Sequence, residues 1–356
     1  MLLRVPVFFD SFHCIAGKCT DTCCVGWEID IDDESAKRYA KIKGEFGEKL
    51  HKNIEEGHFK LLPGDRCPFL RQDGLCDMIC NLGEDSLCDI CREHPRFVEV
   101  YGDIMEKGIG LCCEEGVRLL LESKGTATSP IAFAECEIDD EPDDIPDDAI
   151  EARNAIFEER EHLFKILADH SRTLNDRLDE IMDYALETSG FEFEADSDLQ
   201  TKEILTSWIS VLGKGESYGP AWDSAYDELV QVLRKFDDSQ KRTNDESSIG
   251  ESVGLFTDSD GEKIIAYLLF RYYEKSLFDG NSLTKVEFAL YFWTMLKKFG
   301  HIFAQATGNT PNTKVAAIKL FSKQMEYSEE IMELLEVEFM ENRAFSPHNF
   351  KKFLKG

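Results

Sequence analysis

The sequence predicts a mainly α-helical protein, in which a loop-rich, cysteine-rich metal-binding domain precedes an α-helical domain. Eleven of the twelve cysteines lie in the first 113 residues, and apolar residues recur at three- and four-residue steps through the second half, as in amphipathic helices. A chain of 356 residues is also too long for one ordinary hydrophobic core. We therefore predict a cysteine-rich metal domain at 1–125, an acidic linker at 126–151 and an α-helical domain at 152–356.

The cysteines stand in short runs at metal-ligand spacings. The runs are Cys14-x4-Cys19-x3-Cys23-Cys24, then Cys67-x8-Cys76-x3-Cys80-x7-Cys88-x2-Cys91, and the doublet Cys112-Cys113. A vicinal pair can rarely place both sulfurs on one metal without strain, so one sulfur of the first pair is expected to pack or to reach a second centre. Spacing favours as metal ligands Cys19, Cys23, Cys67, Cys76, Cys88 and Cys91. Because cysteine is often a small buried apolar residue, we expect that role for Cys80, Cys112 and Cys136.

Three kinds of sulfur chemistry compete for these residues: disulfides, zinc and an iron–sulfur cluster. Disulfides belong to oxidising compartments, and the N-terminal residues have neither the apolar stretch nor the cleavage site of a secretory signal. No run reaches the roughly 18 apolar residues of a membrane span, so a cytoplasmic protein with reduced thiols is expected. Zinc and iron–sulfur stay open, since Cys88-x2-Cys91 would serve as half of a zinc site and iron–sulfur clusters accept looser spacings.

Acidic residues dominate the charge of the chain. The formal net charge of −30 argues against binding nucleic acid, which needs a basic face, and against anionic membranes. It favours solubility, or a partner that is basic or presents lysines. The segment 135–151 holds no Lys or Arg and is interrupted by Pro142 and Pro146. Such a segment predicts a linker or mobile loop, with an acidic lip that attracts a cationic substrate as the alternative.

The second half is predicted to contain six or seven helices. Leu199 to Leu212 forms one, and Gly213 stands at its C-cap position. A second is capped by Ser282 and ends before Gly300, and a third begins at Ser328. The segment Ile264 to Phe278 is apolar on almost every side, which predicts the central buried helix.

The N-terminal third is predicted to be irregular. Asp33 to Lys52 indicates a helix broken by Gly44 and Gly47, and glycine-containing turns separate the cysteines. A loop-rich fold with a small apolar core needs additional cross-links, which a bound metal supplies.

Familiar catalytic motifs are absent from the sequence. It contains no G-x-G-x-x-G after a strand, no P-loop, no H-E-x-x-H and no C-x3-C-x2-C triplet. His94 follows Cys91 closely enough to be a fourth ligand, although a histidine before proline is more often a structural turn residue. The aromatic residues Trp27 and Tyr101 lie near the cysteines in the sequence, where they could contact a cationic group by cation–π interaction or could pack around the metal.

Several segments together resemble the flagellin lysine-N-methylase (FliB) family. They are Cys14-IAGK-Cys19-TDT-Cys23-Cys24-VGWEIDID, Arg66-Cys67-Pro68-Phe69-Leu70, Gly74-Leu75-Cys76, Leu82-Gly83-Glu84, Leu87-Cys88, Cys91, and His94-Pro95-Arg96. Leu111-Cys112-Cys113-Glu114-Glu115 resembles the family's Ser-Cys-Pro-Glu segment, with Cys113 as the match. Phe270-Arg271-Tyr272-Tyr273 and Asp279-Gly280 look like its helical region. The chain departs from the family at three positions, where His94 replaces Tyr, Cys112 is not matched and Glu114 replaces Pro.

The resemblance implies a methyltransferase that moves a methyl group from S-adenosylmethionine to lysine ε-amines of flagellin. It also implies an iron–sulfur cluster, of the 4Fe–4S type, with zinc as the alternative. The full candidate ligand set is Cys14, Cys19, Cys23, Cys24, Cys67, Cys76, Cys88, Cys91 and Cys113. The YkgJ-like zinc- or iron-chelating domains share C-x3-C-C, C-P-x-L and G-x-C, so a non-catalytic metal-binding or redox-sensing module is the alternative function. Neither the catalytic residues nor the S-adenosylmethionine site is located by the sequence.

Overall fold

The computed structural model describes residues 1–20, 22, 24–26, 28–143, 145–191, 199–215, 217, 219–236 and 254–354. The mainly α fold class is confirmed, because 61% of the chain is helical. The predicted domain limits at 1–125, 126–151 and 152–356 stay a prediction. Two hydrophobic cores are present in the described residues, a small one built around cysteines and a large one built by helices.

A four-stranded sheet lies in the part of the chain that the sequence predicted to be irregular. Its strands are β1 (Leu2–Pro6), β4 (Arg96–Tyr101), β5 (Ile104–Ile109) and β6 (Phe133–Glu137), in the order β4-β5-β1-β6. Strand β1 runs parallel to β5 and antiparallel to β6. Strand β6 falls inside the segment predicted to be a linker, so part of that segment is ordered by pairing with β1. A separate short hairpin joins β2 (Ile54–Glu55) to β3 (His58–Phe59).

Short helices carry the cysteine-rich region. They are α1 (Asp33–Tyr39), α2 (Gly44–Lys52), α3 (Asp77–Leu82), α4 (Asp89–Glu93) and α5 (Glu114–Glu122). The helix predicted over 33–52 is two helices, because the chain turns before Gly44, whose φ of +82° favours glycine. Gly47 does not break α2. A Cβ there would lie 2.4 Å from the Ile42 carbonyl oxygen, so glycine allows the close approach of the turn.

The helices of the large core follow. They are α6 (Asp147–Leu167), α7 (Leu174–Ser189), α8 (Thr201–Leu212), α9 (Pro220–Lys235), α10 (Asp258–Tyr272), α11 (Ser276–Asp279), α12 (Ser282–Thr307), α13 (Pro311–Glu326), α14 (Glu329–Glu341) and α15 (Pro347–Leu354). These ten helices of the described chain exceed the six or seven predicted. The helix predicted to end at Leu212 and the one predicted to begin at Ser328 are confirmed, and the Ser328 hydroxyl accepts from the Ile331 amide.

Two predicted helix boundaries are wrong. Asn281, not Ser282, caps α12, because its side chain accepts from the Thr284 amide. The helix also continues through Gly300, where a Cβ would lie 2.4 Å from Phe256, so this glycine serves packing and not termination. The segment predicted as one buried helix over 264–278 divides after Tyr272, and Phe278 at its end is 71% exposed.

A buried ion network fixes the sheet against the helices. Arg160 on α6 donates both Nη groups to Glu106 on β5, at 2.8 and 2.6 Å. Its Nε lies 2.8 Å from Glu274 Oε1, and all three side chains are almost fully buried. Because an unpaired buried charge is very costly, the network holds this one docking of β5 on α6 in place.

Candidate metal centre

Five of the nine candidate ligands meet in the small core. Cys67 and Cys88 are buried in it, and Cys24, Cys76 and Cys91 pack against it. The Cys67 amide donates to the Cys24 carbonyl at 3.0 Å, which ties the first cysteine run to the second. Cys76 directly precedes α3 and Cys88 directly precedes α4, while Cys91 lies within α4. Segments far apart in the sequence thus bring their thiols to one place.

The thiols of Cys88 and Cys91 share a hydrogen bond in this core. The hydrogen bond from the Cys91 thiol lowers the pKa of Cys88 to about 7, and the same bond, with burial, raises the pKa of Cys91. Cys24 and Cys67 lie near enough to contribute to the raised pKa of Cys91. The Tyr39 hydroxyl, which donates to the Ser86 carbonyl at 2.8 Å, also helps to stabilise the Cys88 thiolate. The side chains around Cys88 therefore favour its thiolate form.

Burial also opposes the ionisation of Cys67 and Cys76. It raises the pKa of Cys67 to about 11 and raises the pKa of Cys76, although the nearby backbone amides of Ile79 and Met78 act to lower the Cys76 pKa. Thiols buried in this way ionise readily only when a cation offsets the charge, as a metal does. The donor set consists of sulfur, which suits iron–sulfur clusters and zinc.

The thiols share a core without standing in a ready-made coordination geometry. Among the described residues, no three Cys, His, Asp or Glu side chains are placed to hold one ion together. Cys23, one of the candidate ligands, lies outside the described residues, as does Trp27. The donor chemistry therefore fits a thiolate-bound metal, and the arrangement of the ligands stays a prediction.

Three other candidate ligands that the structure describes come from the first cysteine run and the doublet. Cys113 directly precedes α5, and the Glu114 carboxylate that follows it lies 3.5 Å from the Cys19 sulfur. Although burial raises the pKa of Glu114, hydrogen bonds from Thr20 and the charge of Lys319 hold it below its usual value. Cys14 is exposed, and its sulfur accepts from the Ala16 amide at 3.4 Å.

The three cysteines expected to be buried apolar residues differ in their surroundings. Cys112 is buried as predicted, and burial raises its pKa to about 12. Cys80 and Cys136 are exposed, so the prediction is wrong for both. Cys136 lies on β6, where its side chain faces solvent because only one face of this edge strand is covered.

His94 faces the doublet and α13. Its Nε2 lies 3.9 Å from the Cys112 sulfur, and its ring packs edge-to-face on Tyr327 at 6.1 Å between centroids. Burial, with the charges of Lys323 and Arg271, lowers the pKa of His94 to about 4, so the imidazole is neutral at physiological pH. Two of the positions at which the chain departs from the resembled family are thus neighbours in space.

A buried polar cluster lies behind the doublet, and the sequence did not reveal it. Arg271 donates to Tyr267 Oη and to Glu326 Oε2, each at 2.8 Å. The Tyr267 and Tyr272 hydroxyls also donate to Glu326 Oε2, each at 3.1 Å. The Leu111 amide, next to the doublet, donates to Tyr267 Oη at 3.3 Å. The cluster joins α10 and α13 to the cysteine segment, and its one signal in the sequence is the Phe270-Arg271-Tyr272-Tyr273 motif.

Tyr101, one of the two aromatic candidates, lies among other aromatic rings. Tyr101 stacks on Phe278 and packs edge-to-face on Phe157, at the junction of the sheet and α6. A cavity of about 110 Å³ lies against Tyr272 and Phe288. That volume is well below the roughly 300 Å³ at which small-molecule sites begin, so this cavity does not hold S-adenosylmethionine.

In the described part of the chain, no helix is both long enough and apolar enough to cross a membrane.

Comparison with known proteins identifies relatives of the chain. Lysine-N-methylases of Salmonella typhimurium (strain LT2) and Salmonella choleraesuis are each 28% identical to it over 124 residues, which is 31% of this chain and 30% of theirs. The flagellar biosynthetic protein FliU of Salmonella muenchen is 29% identical over 120 residues, 31% of this chain and 71% of its own. The chain thus spans about 30% of the length of the lysine-N-methylases it matches. No protein-family model and no solved structure matches. The resemblance predicted from the cysteine motifs is confirmed, and the chain is similar to the lysine-N-methylases.

Proposed function

We propose that this protein is a lysine N-methyltransferase that transfers the methyl group of S-adenosylmethionine to flagellin and carries an iron–sulfur cluster. The similarity to two lysine-N-methylases is the observation that carries the proposal. The gathering of five cysteines into one small core supports the cluster. Flagellin as substrate is supported by the flagellar name of the FliU relative and by the net charge of −30, which suits a surface that presents lysines.

The residues that would hold the cluster come from the small core. Cys24, Cys67, Cys88 and Cys91 influence one another's ionisation, and they are the first candidates, with Cys19, Cys76 and Cys113 next. When bound, the cluster would cross-link these loops and supply a redox-active iron centre. Reduced thiols are the ordinary state of cytoplasmic cysteines, so we place the protein in the cytoplasm.

The reaction requires a neutral amine on the substrate. The lone pair of the lysine Nε forms a bond to the methyl carbon, and the carbon–sulfur bond breaks. The sulfonium sulfur takes that electron pair and becomes the thioether of S-adenosylhomocysteine, and the amine releases one proton. An exposed lysine is protonated at neutral pH because its pKa is about 10.4. Desolvation lowers that pKa and exposes the lone pair, so we expect the substrate lysine to enter a water-poor site.

Methyl transfer is tested with anaerobically purified protein, methyl-labelled S-adenosylmethionine and flagellin. We expect labelled flagellin, with methylated lysines identified by mass spectrometry. Cys88→Ser should lose the metal and the activity, whereas Cys80→Ser, at an exposed position outside the core, should keep both. Absence of S-adenosylmethionine binding by calorimetry, from a metal-loaded protein, would overturn the proposal.

The alternative is a non-catalytic zinc- or iron-binding module with a structural or redox-sensing role. The observation that favours it is the separate apolar core around the cysteines, which the helical core does not share. Metal analysis and calorimetry discriminate the two functions. Brown protein that binds S-adenosylmethionine supports the methyltransferase, and colourless protein with stoichiometric zinc and no such binding supports the module.

A further inference from the structure

The Glu114 carboxylate accepts hydrogen bonds from residues of the first cysteine run. Its Oε2 accepts from the Thr20 amide at 2.9 Å and from the Thr20 hydroxyl at 2.5 Å. The Cys19 thiol also points to this oxygen, at 3.5 Å. Glu114 directly follows Cys113 at the start of α5. One oxygen atom therefore links the backbone and side chains around Cys19 to the residue next to Cys113, across 95 positions of sequence.

A helix from the C-terminal region, α13, also contacts Glu114 and Thr20. Lys319 on α13 is buried, and its Nζ lies 3.6 Å from Glu114 Oε2 and 3.5 Å from the Thr20 hydroxyl. One turn later on α13, Lys323 donates to the Thr22 carbonyl at 3.3 Å. The Glu114 carboxylate is half-buried, so a nearby cation and hydrogen bonds stabilise its charge, and here the cation comes from the far end of the chain. Helix α13 thereby contacts the first cysteine run at Thr20 and at Thr22.

We infer that Glu114, supported by Lys319, is a positioning residue that keeps the Cys19 thiol beside Cys113, so that both can ligate one metal group. The inference rests on the proposed metal-binding function and adds to it a contribution from α13. Groups that orient metal ligands typically change metal affinity about 10- to 100-fold when they are removed. The contacts of Glu114 with Thr20 and Lys319 join α5, the first cysteine run and α13.

Substitutions at Glu114 separate positioning from folding. Proline is tolerated in the first turn of a helix, so Glu114→Pro should preserve α5 while it removes the carboxylate. Glu114→Gln keeps the shape and the acceptor for Thr20 but loses the charge that pairs with Lys319. Lys319→Met keeps most of the apolar stem without the ammonium. Glu122→Gln, at an exposed carboxylate on the same helix paired with Arg118, is the matched control.

The first readout is the rate at which the loaded full-length protein loses its metal to a chelator. We expect release about 10- to 100-fold faster for Glu114→Pro, a smaller acceleration for Glu114→Gln and Lys319→Met, and no change for Glu122→Gln. The inference would be overturned if Glu114→Pro released its metal at the wild-type rate while Cys19→Ser lost its metal. That outcome would leave the proposed function intact.

The second readout does not need the metal. In metal-free, reduced full-length protein, a short thiol-bridging reagent should join Cys19 to Cys113, as identified by peptide mass spectrometry. Glu114→Pro should lower the yield of that cross-link several-fold, and Glu122→Gln should not. Equal yields in wild-type and Glu114→Pro protein would overturn the positioning role. A wild-type chain that binds neither iron nor zinc would overturn the proposed metal function, while this measurement still decides the role of Glu114.

Discussion

The small cysteine core and the large helical core are stabilised in different ways. The small core contains ten buried residues, and two of them are cysteines. The large core is dense in aromatic rings, such as Trp222 on Phe299 at 5.0 Å and Phe292 on Phe321 at 4.9 Å between centroids. An apolar core in a segment of roughly 70–80 residues rarely supplies more than about 3–5 kcal/mol. The helical core therefore has the larger apolar contribution to its stability, and under the proposed function a bound metal would stabilise the small core.

The largest effect should come from removing one thiol of the small core. Cys91→Ser should release the metal and expose residues 29–91, because in a loop-rich domain the free energy of metal binding is largely free energy of folding. We expect the local unfolding free energy to fall by an amount on the order of 10 kcal/mol, measured by hydrogen exchange with mass spectrometry. Peptides from α12 and α13 should keep their protection, and Cys80→Ser should leave both cores unchanged.

Equal loss of protection in α12 and in the small core would contradict this comparison. It would mean that the two cores unfold as one cooperative unit, and that the contacts of α13 with the first cysteine run transmit the loss.

The second effect should appear on the helical side only. Arg160→Ala removes the cation that contacts both buried Glu106 and buried Glu274 and leaves Arg4, 3.9 Å from Glu106, as a weaker partner. Breaking a buried pair typically costs about 3–5 kcal/mol. Urea denaturation followed by tryptophan fluorescence should show the loss, while metal content per folded molecule stays the same. Arg172→Ala, at the exposed pair with Glu180, should change the urea midpoint far less. A midpoint for Arg160→Ala equal to that of the wild type would show that the network does not stabilise the sheet on α6.

The two cores also differ in how much of them the sequence predicts. Helical periodicity locates α8 and α14, because the signal is local. The hairpin of β4 and β5 has a Gly102-Asp103 turn, but β1 pairs with segments more than 100 residues away, and no local pattern encodes that pairing. The spacing of the cysteines predicted nine candidate metal ligands, and five of them meet in the small core. The partnership of Arg271 with Glu326 is just as non-local, so only the structure shows it.

The acid Glu287 is buried in the helical core without a hydrogen bond to its Oε1 among the described residues. Glu287 on α12 is 1% exposed, and its Oε1 has no hydrogen-bond partner among the described residues. Burial raises its pKa well above the usual value. The unfolded chain therefore releases this proton near its ordinary pKa, while the folded protein retains it. Stability consequently falls as the pH rises from the unfolded pKa through the raised folded pKa.

Glu287→Gln should remove this penalty. We expect a gain that grows by about 1.4 kcal/mol for each pH unit between the unfolded and the folded pKa of Glu287, and almost no gain where both states are protonated. Thermal unfolding at several pH values measures it. Glu333→Gln, at an exposed position on α14, is the control. A gain that does not depend on pH would show that Glu287 has the same proton in both states, and that side-chain packing explains the change.

The smallest effect concerns the acidic segment between β6 and α6. Asp139, Asp140 and Glu141 in this segment are exposed, so neutralising them to amides should leave both cores intact. Charges of this kind mainly raise the association rate, and salt screens them over about 8 Å at physiological ionic strength. Under the proposed function, flagellin methylation at subsaturating substrate should slow a few-fold in the variant and as salt rises, with turnover at saturation changed less. An equally sized change of three exposed acids on α14, Glu329, Glu330 and Glu333, should slow it less if the segment itself guides the substrate. Rates indifferent to salt and to both variants would assign the acidity to solubility, and the flagellin contact would then have to lie in an apolar surface between the two cores.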